Sequence, residues 1–333
     1  MARAFSPFLS LPDPKDRLRN WKEVFFNLFG CEDDSNAKAI IDALKGLGVH
    51  YRELLKADDH EVRLGAWEEL DEEIVGNFED LLPYFLELLS SPDLKVRAEA
   101  WNEAVRMWED GLIPKEELDK RFQLFLEVLL SDDAKTIDHL LDKSKSVKYF
   151  RKFDSRAFVE AFVKGLGSPN HLVRATFWYY VSEYSDLLSS EVLRNRFGLF
   201  LEVLGSPYLE ARLTAWKAAL NMIEDEKLSG VLAKEEVLKR NGELVKLLEA
   251  PDPEVRAEAW FYACMSLKGR TPLLERTELA SRLDKLLKIR YVSSFSNGDV
   301  KDAFFDALYC VEEVGVVDSA TVDKVLSEVG ELK

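Results

Sequence analysis

The sequence predicts an all-α chain, an α-α superhelix of about eight two-helix repeats, on three observations. An eleven-residue stretch, "SPDLKVRAEAW" at 91–101, returns almost unchanged as "APDPEVRAEAW" at 250–260. Six of the seven tryptophans close copies of that stretch. Glycine (16) and proline (11) are scarce in 333 residues, as in helical chains joined by short connections.

In chain order, "LPDPKDRLRNW" ends at Trp21, "ADDHEVRLGAW" at Trp67, and the first quoted copy at Trp101. "SDDAKTIDHLL" ends at Leu141 and has lost both Arg and Trp. "SPNHLVRATFW" ends at Trp178, "SPYLEARLTAW" at Trp216, and the second quoted copy at Trp260. "FSNGDVKDAFF" ends at Phe305, with Lys301 in place of Arg. The closing position recurs every 34 to 46 residues. A second signature precedes several copies: "FLELLSS" (85–91), "FLEVLLS" (125–131), "FLEVLGS" (200–206) and, more loosely, "LVKLLEA" (244–250). Each unit therefore reads as helix, Ser-Pro-Asp turn, helix. Ser or Asp caps the second helix by accepting from an orphan backbone N–H, and Pro suits its first turn. Gly111-Leu112-Ile113-Pro114 and Ser189-Ser190 read as short loops between helices. The chain reads as one domain, 1–333, with an irregular fourth repeat at about 131–167.

The second helix explains why the units must stack. With Val96 as origin, Arg97, Ala100, Trp101, Ala104 and Trp108 fall within an arc of roughly 140° at about 100° per residue. Small alanines permit close helix approach, and a buried tryptophan removes roughly 150–250 Å² from water. One two-helix unit cannot cover that face alone, so its neighbour must.

The pattern "PDxxVR" followed by small apolar residues resembles the HEAT-repeat family, from about Leu11 to the end of the chain. The resemblance implies a right-handed solenoid with the second helices lining a concave binding surface. It also implies a ladder between adjacent repeats, made by the Asp before the second helix and the Arg within it. The matching acids are Asp13, Asp59, Asp93, Asp133 and Asp252; the matching arginines are Arg17, Arg63, Arg97, Arg174, Arg212 and Arg256. Asn170 and Tyr208 stand where an acid is expected, which puts the ladder in doubt there. The Trp four residues after each Arg belongs to this chain's own pattern and is placed for a cation–π contact.

Composition narrows the function. A net charge of −16 and a pI near 4.9 disfavour nucleic acid and anionic membranes as partners. The three cysteines (Cys31, Cys264, Cys310) are odd in number and form no CxxC, so neither a disulfide framework nor a thiolate zinc site is expected, and a cytoplasmic, reducing location fits. The opening "MARAFSPFLSLPDPK" is a poor signal peptide, and no apolar run is long enough to span a membrane. The single glutamine, Gln123, resembles the amide depletion of thermostable proteins.

No GxxxxGK[ST], GxGxxG, HExxH or GxSxG occurs, so no catalytic residue, cofactor or metal ligand is assigned. Deoxyhypusine hydroxylase resembles this architecture but uses several His-Glu pairs, and only His60-Glu61 occurs here. HEAT-like DNA glycosylases need a basic concave face, which the net charge opposes. Acidic pairs such as Glu116-Glu117 and Glu235-Glu236 suit helix starts rather than paired-carboxylate catalysis.

Two surface features remain. The irregular repeat carries "KSKSVKYFRKFDSR" (143–156), where Lys143, Lys145, Lys148, Arg151, Lys152 and Arg156 face only Asp154. It reads either as an anion-binding patch or as a solvated linker. The other feature is the outward face of the second helices, taken as the positions one, two, five, six and nine after each Arg. It includes Glu68, Glu69, Glu72, Glu99 and Glu103 in the second and third repeats, Tyr179 and Tyr180 in the fifth, and Phe261 and Tyr262 in the seventh. Exposed aromatics mark interfaces. The expected function is a non-catalytic, monomeric scaffold that binds another protein, a basic one, on this face. A nucleic-acid-associated or enzymatic role through 143–156 is the alternative.

Overall fold

The computed structural model describes residues 9–29, 38, 41–42, 44–70, 72–142, 155–228 and 233–331. Among them every regular element is helical and no strand occurs. The chain divides into two compact units, 1–158 and 159–333, and the division falls inside the irregular fourth repeat.

Unit 1 runs α1 (Pro14–Phe29), α2 (Gly48–Leu54), α3 (His60–Glu68), α4 (Leu82–Leu88), α5 (Leu94–Glu109), α6 (Phe122–Leu129) and α7 (Ala134–Asp142). Unit 2 runs α8 (Ser155–Gly165, crossing the boundary), α9 (His171–Tyr179), α10 (Ser190–Val203), α11 (Leu209–Glu224), α12 (Asn241–Leu248), α13 (Pro253–Ser266), α14 (Leu283–Leu287), α15 (Gly298–Glu313) and α16 (Ser319–Glu331). The odd-numbered helices carry the eight copies of the signature. Within each unit they lie side by side, α1–α3–α5–α7 and α9–α11–α13–α15. In unit 1 the even-numbered helices α2, α4 and α6 each pack against their own odd partner and the odd helix before it.

The turns explain where the odd helices start. Asp59, Asp93 and Asp252 are extended N-cap residues whose carboxylates accept from the second and third N–H groups of the helix. Asn170 does the same with its amide oxygen, so losing the acid there costs no cap. Tyr208 offers no side-chain cap. Ser91, Ser168 and Ser206 hold the turn itself, each accepting from the N–H two residues on. Pro14 and Pro253 open α1 and α13, whereas Pro92, Pro169 and Pro207 precede the cap residue. Gly111, at φ +77°, lets the chain turn away after α5.

The ladder differs from the expected Asp–Arg pairing, because the aspartates are occupied in capping their own helices. Five of the six arginines instead tie their own turn to the next repeat. Arg63 donates from Nε to the Ala57 carbonyl at 2.6 Å and from Nη1 to the Glu87 carboxylate at 2.8 Å. Arg17 reaches Leu11 and Glu53, Arg97 reaches Ser91 and Glu127, and Arg174 reaches Ser168 and Glu202 in the same manner. The receiving glutamate is the one in "FLELL" and "FLEVL". At that place α12 and α14 carry Lys246 and Lys285. Arg212 compensates by meeting Glu243 at 3.5 Å. Arg256 has no such rescue: its Nε is buried without an acceptor, and burial holds its guanidinium below the ordinary pKa.

The tryptophans repeat the same logic in apolar form. All six are 0–1% exposed. Trp67, Trp178, Trp216 and Trp260 each donate from the indole N–H to the carbonyl twelve residues earlier, at 3.1–3.2 Å, capping the C-terminus of the preceding helix. Their rings look forward: Trp67 packs on Phe85, Trp101 on Phe125 and Trp178 on Phe200, at centroid distances of 5.0–5.6 Å. The expected Arg–Trp cation–π contact does not form among the described residues; Arg63 lies over Tyr84 instead, at 5.9 Å. In α15 the interior place goes to Phe304, fully buried, rather than to Phe305.

Candidate functional site

An odd helix in the middle of its row is covered on both flanks by its neighbours and behind by even helices. What remains open is one narrow stripe. On α5 that stripe is Lys95, Glu99 and Arg106, while Ala98, Asn102 and Glu103 on either side are buried. The two-sided wheel of the sequence reading therefore placed too many residues outside.

In unit 1, Glu68, Glu69 and Glu99 do lie on the stripe, half-buried. Lys22 from α1 pairs with Glu68 at 3.3 Å and with Glu69 at 3.8 Å. Glu68 also shares a hydrogen bond with Glu99, and His139 of α7 lies 3.5 Å from Glu99. A polar chain thus crosses all four odd helices of unit 1. Burial pushes the Glu68 carboxyl up, the Lys22 charge opposes this, and the shared bond with Glu99 adds to the rise. Glu103 is a correction: it is 8% exposed, and Arg106 Nε donates to both its oxygens at 3.0 Å, which makes it a paired interior group. The side chain of Glu72 lies outside the described residues.

In unit 2, Tyr179, Phe261 and Tyr262 are half-buried on the stripe. Tyr180 is a second correction. Helix α9 ends at Tyr179, so Tyr180 sits in the cap and turns inward, 1% exposed. Phe261 and Tyr262 meet edge to face at 5.3 Å and border a concavity of about 380 Å³ between α13 and α15. Five carboxylates complete its lining: Glu254 and Glu258 from α13, and Asp299, Asp302 and Asp306 from α15. The spacings 254, 258, 261 and 299, 302, 306 each follow one helical face, so two stripes meet along the groove. Glu258 pairs with Lys217 of α11, whose ammonium also stands 5.1 Å over the Tyr262 ring. Burial raises the Glu254 carboxyl, and Glu258 and Asp299 raise it further. The sequence reading named Phe261 and Tyr262 but none of these acids, although Glu258 stands two after Arg256 as Glu99 stands two after Arg97.

The same two helices are cross-linked: Cys264 of α13 and Cys310 of α15 form a disulfide, which the sequence reading did not expect. The two residues are 46 apart and in no motif; only the side-by-side packing of the odd helices brings them together. The pairing removes the cysteine argument for a reducing compartment. Lys143, Lys145, Lys148, Arg151 and Lys152 lie outside the described residues, and Arg156 stands in the first turn of α8. Among the described residues no helix is long and apolar enough to cross a membrane, and no group of three His, Cys, Asp or Glu is placed to hold a metal ion.

No protein-family model matches the chain, and no curated protein matches it. Similar solved structures include an engineered protein, 16% identical, covering 99% of this chain and 98% of its own, at a TM-score of 0.32. A second engineered protein is 18% identical over 79% of this chain and 96% of its own, with a TM-score of 0.28. The karyopherin Kap121p, also seen bound to Nup53p, is 13% identical over 94% of this chain, with a TM-score of 0.36. The chain spans 37% of the length of Kap121p. The HEAT-like reading rests on the repeated Arg–Glu and Trp contacts within the chain itself.

Proposed function

We propose that the chain is a non-catalytic scaffold that holds a basic partner protein on the open stripe of its odd helices. The observation that carries the reading is that aromatics and unpaired carboxylates line one concavity of that stripe. Many other carboxylates cap helices or close rungs of the ladder, as Asp93 and Glu87 do. On the stripe, half-buried aromatics stand beside carboxylates that no cation among the described residues neutralises. Desolvated aromatic surface supplies affinity, and surrounding charge steers a partner of opposite sign. A photo-crosslinking residue placed at Tyr179 or Glu99 should capture a partner from the native source. The same residue at Gln123 or Glu191, exposed on even helices, should not. Equal capture from both rows would overturn the assignment of the face.

A further inference from the structure

The groove between α13 and α15 is specific enough to name what enters it; this deepens the open-stripe reading and rests on it. Four of its five carboxylates, Glu254, Asp299, Asp302 and Asp306, pair with no cation among the described residues. The fifth shows how a cation is seated there. Lys217 places its ammonium against the Glu258 carboxylate and over the Tyr262 ring, so an acid and an aromatic face already hold one basic side chain of the protein itself. We propose that the groove docks an extended basic segment of a partner protein, with basic side chains on Asp299, Asp302 and Asp306 and their stems along Phe261 and Tyr262.

Length favours a peptide over a point cation. From Asp299 to Asp306 the helix rises about 10 Å, at about 1.5 Å per residue. Alternate side chains of an extended strand stand about 7 Å apart, so three of them, about 14 Å end to end, cover the row of acids. The geometry also favours arginine over lysine, because a planar guanidinium stacks on aromatic rings and forks onto carboxylates. Lys217 then competes with the incoming segment for Tyr262.

Binding of fluorescein-labelled peptides to the full chain tests this. The probes are an alternating Arg-Ser decapeptide, its Lys-Ser and Glu-Ser counterparts, and unlabelled spermidine as competitor. The Arg-Ser peptide should bind, the Lys-Ser peptide more weakly, and the Glu-Ser peptide not at all. The exposed-site variant D299N/D302N/D306N should weaken Arg-Ser binding by at least about tenfold, whereas E116Q/E191Q/E235Q, at exposed carboxylates away from the odd helices, should change it less than about twofold. Lys217→Met should tighten it. Equal losses in the two multiple variants would reduce the effect to net charge and overturn the proposal. Displacement by equimolar spermidine would make the groove a small-cation site and overturn it too. If crosslinking maps a partner to the stripe while the groove variant binds every peptide normally, this proposal fails and the open-stripe reading stands.

Discussion

Arg63 and Glu87 join consecutive repeats through a bond that neither repeat could make alone. The guanidinium is 4% exposed and satisfied on both sides, by its own turn at Ala57 and by Tyr84 and Glu87 of the next repeat. Arg256 stands at the same place in the repeat with the rung missing. The two sites therefore separate a paired interior charge from an unpaired one.

Arg63→Met should lower the unfolding free energy by about 2–4 kcal/mol, because it strands two carbonyls and a carboxylate that lose their donor. Arg256→Met should be neutral or stabilising, since methionine keeps the packing and removes a guanidinium that has no acceptor for Nε. Urea denaturation of the two variants measures both. Equal losses would mean that the arginines act through packing and not through the ladder.

The tryptophans allow a finer comparison. Trp260 donates to Leu248 at 3.1 Å, whereas Trp101 Nε1 is buried without an acceptor. Replacing Trp by Phe removes similar apolar volume at both sites. Trp260→Phe should then cost about 1 kcal/mol more than Trp101→Phe, the net worth of one buried hydrogen bond. A larger loss at Trp101 would overturn the capping role of the indole N–H.

The repeat was legible in the sequence because periodicity survives in one dimension. The eight copies, their helices and the interior tryptophans all followed from it. The partner of each arginine was harder to see. Glu87 stands 24 residues after Arg63 and Glu53 stands 36 after Arg17, and only the packing of an even helix against two odd ones makes those separations equivalent. The open face was overdrawn for a related reason. A wheel divides a helix into inside and outside, but a helix in a row is buried on three sides, which put Glu103 in the interior. Tyr180 failed differently, because nothing in "FWYYVSEY" marks the end of α9 one residue before it.

The Cys264–Cys310 pairing gives a direct chemical prediction. Maleimide labelling of the denatured, unreduced chain should modify Cys31 alone, and all three cysteines after reduction. The C264S/C310S variant should lose about 3–4 kcal/mol, the loop-closure effect expected for a cross-link of this span. Three labels without reductant would show that the thiols are free. Intracellular proteins of heat-loving organisms keep such disulfides, so an intact bond and the scarcity of glutamine would agree.

The last prediction concerns Glu68 and pH. Its carboxyl is raised above the usual value of 4.5, chiefly by burial, so the folded chain holds this proton more tightly than the unfolded chain does. Below pH 4.5 both states are protonated and the contribution of the group to stability is fully present. As pH rises through the folded pKa, the unfolded state ionises first and stability falls. Glu68→Gln keeps a donor for Glu99 and cannot ionise, so it should flatten this part of the profile. The unfolding free energy of the variant minus that of the parent should therefore rise with pH from about pH 4.5 until the folded carboxyl has ionised, with other titrating groups cancelling in the difference. Parallel profiles across that window would mean that Lys22 alone sets the state of Glu68, and that the proton shared with Glu99 contributes nothing to the stripe.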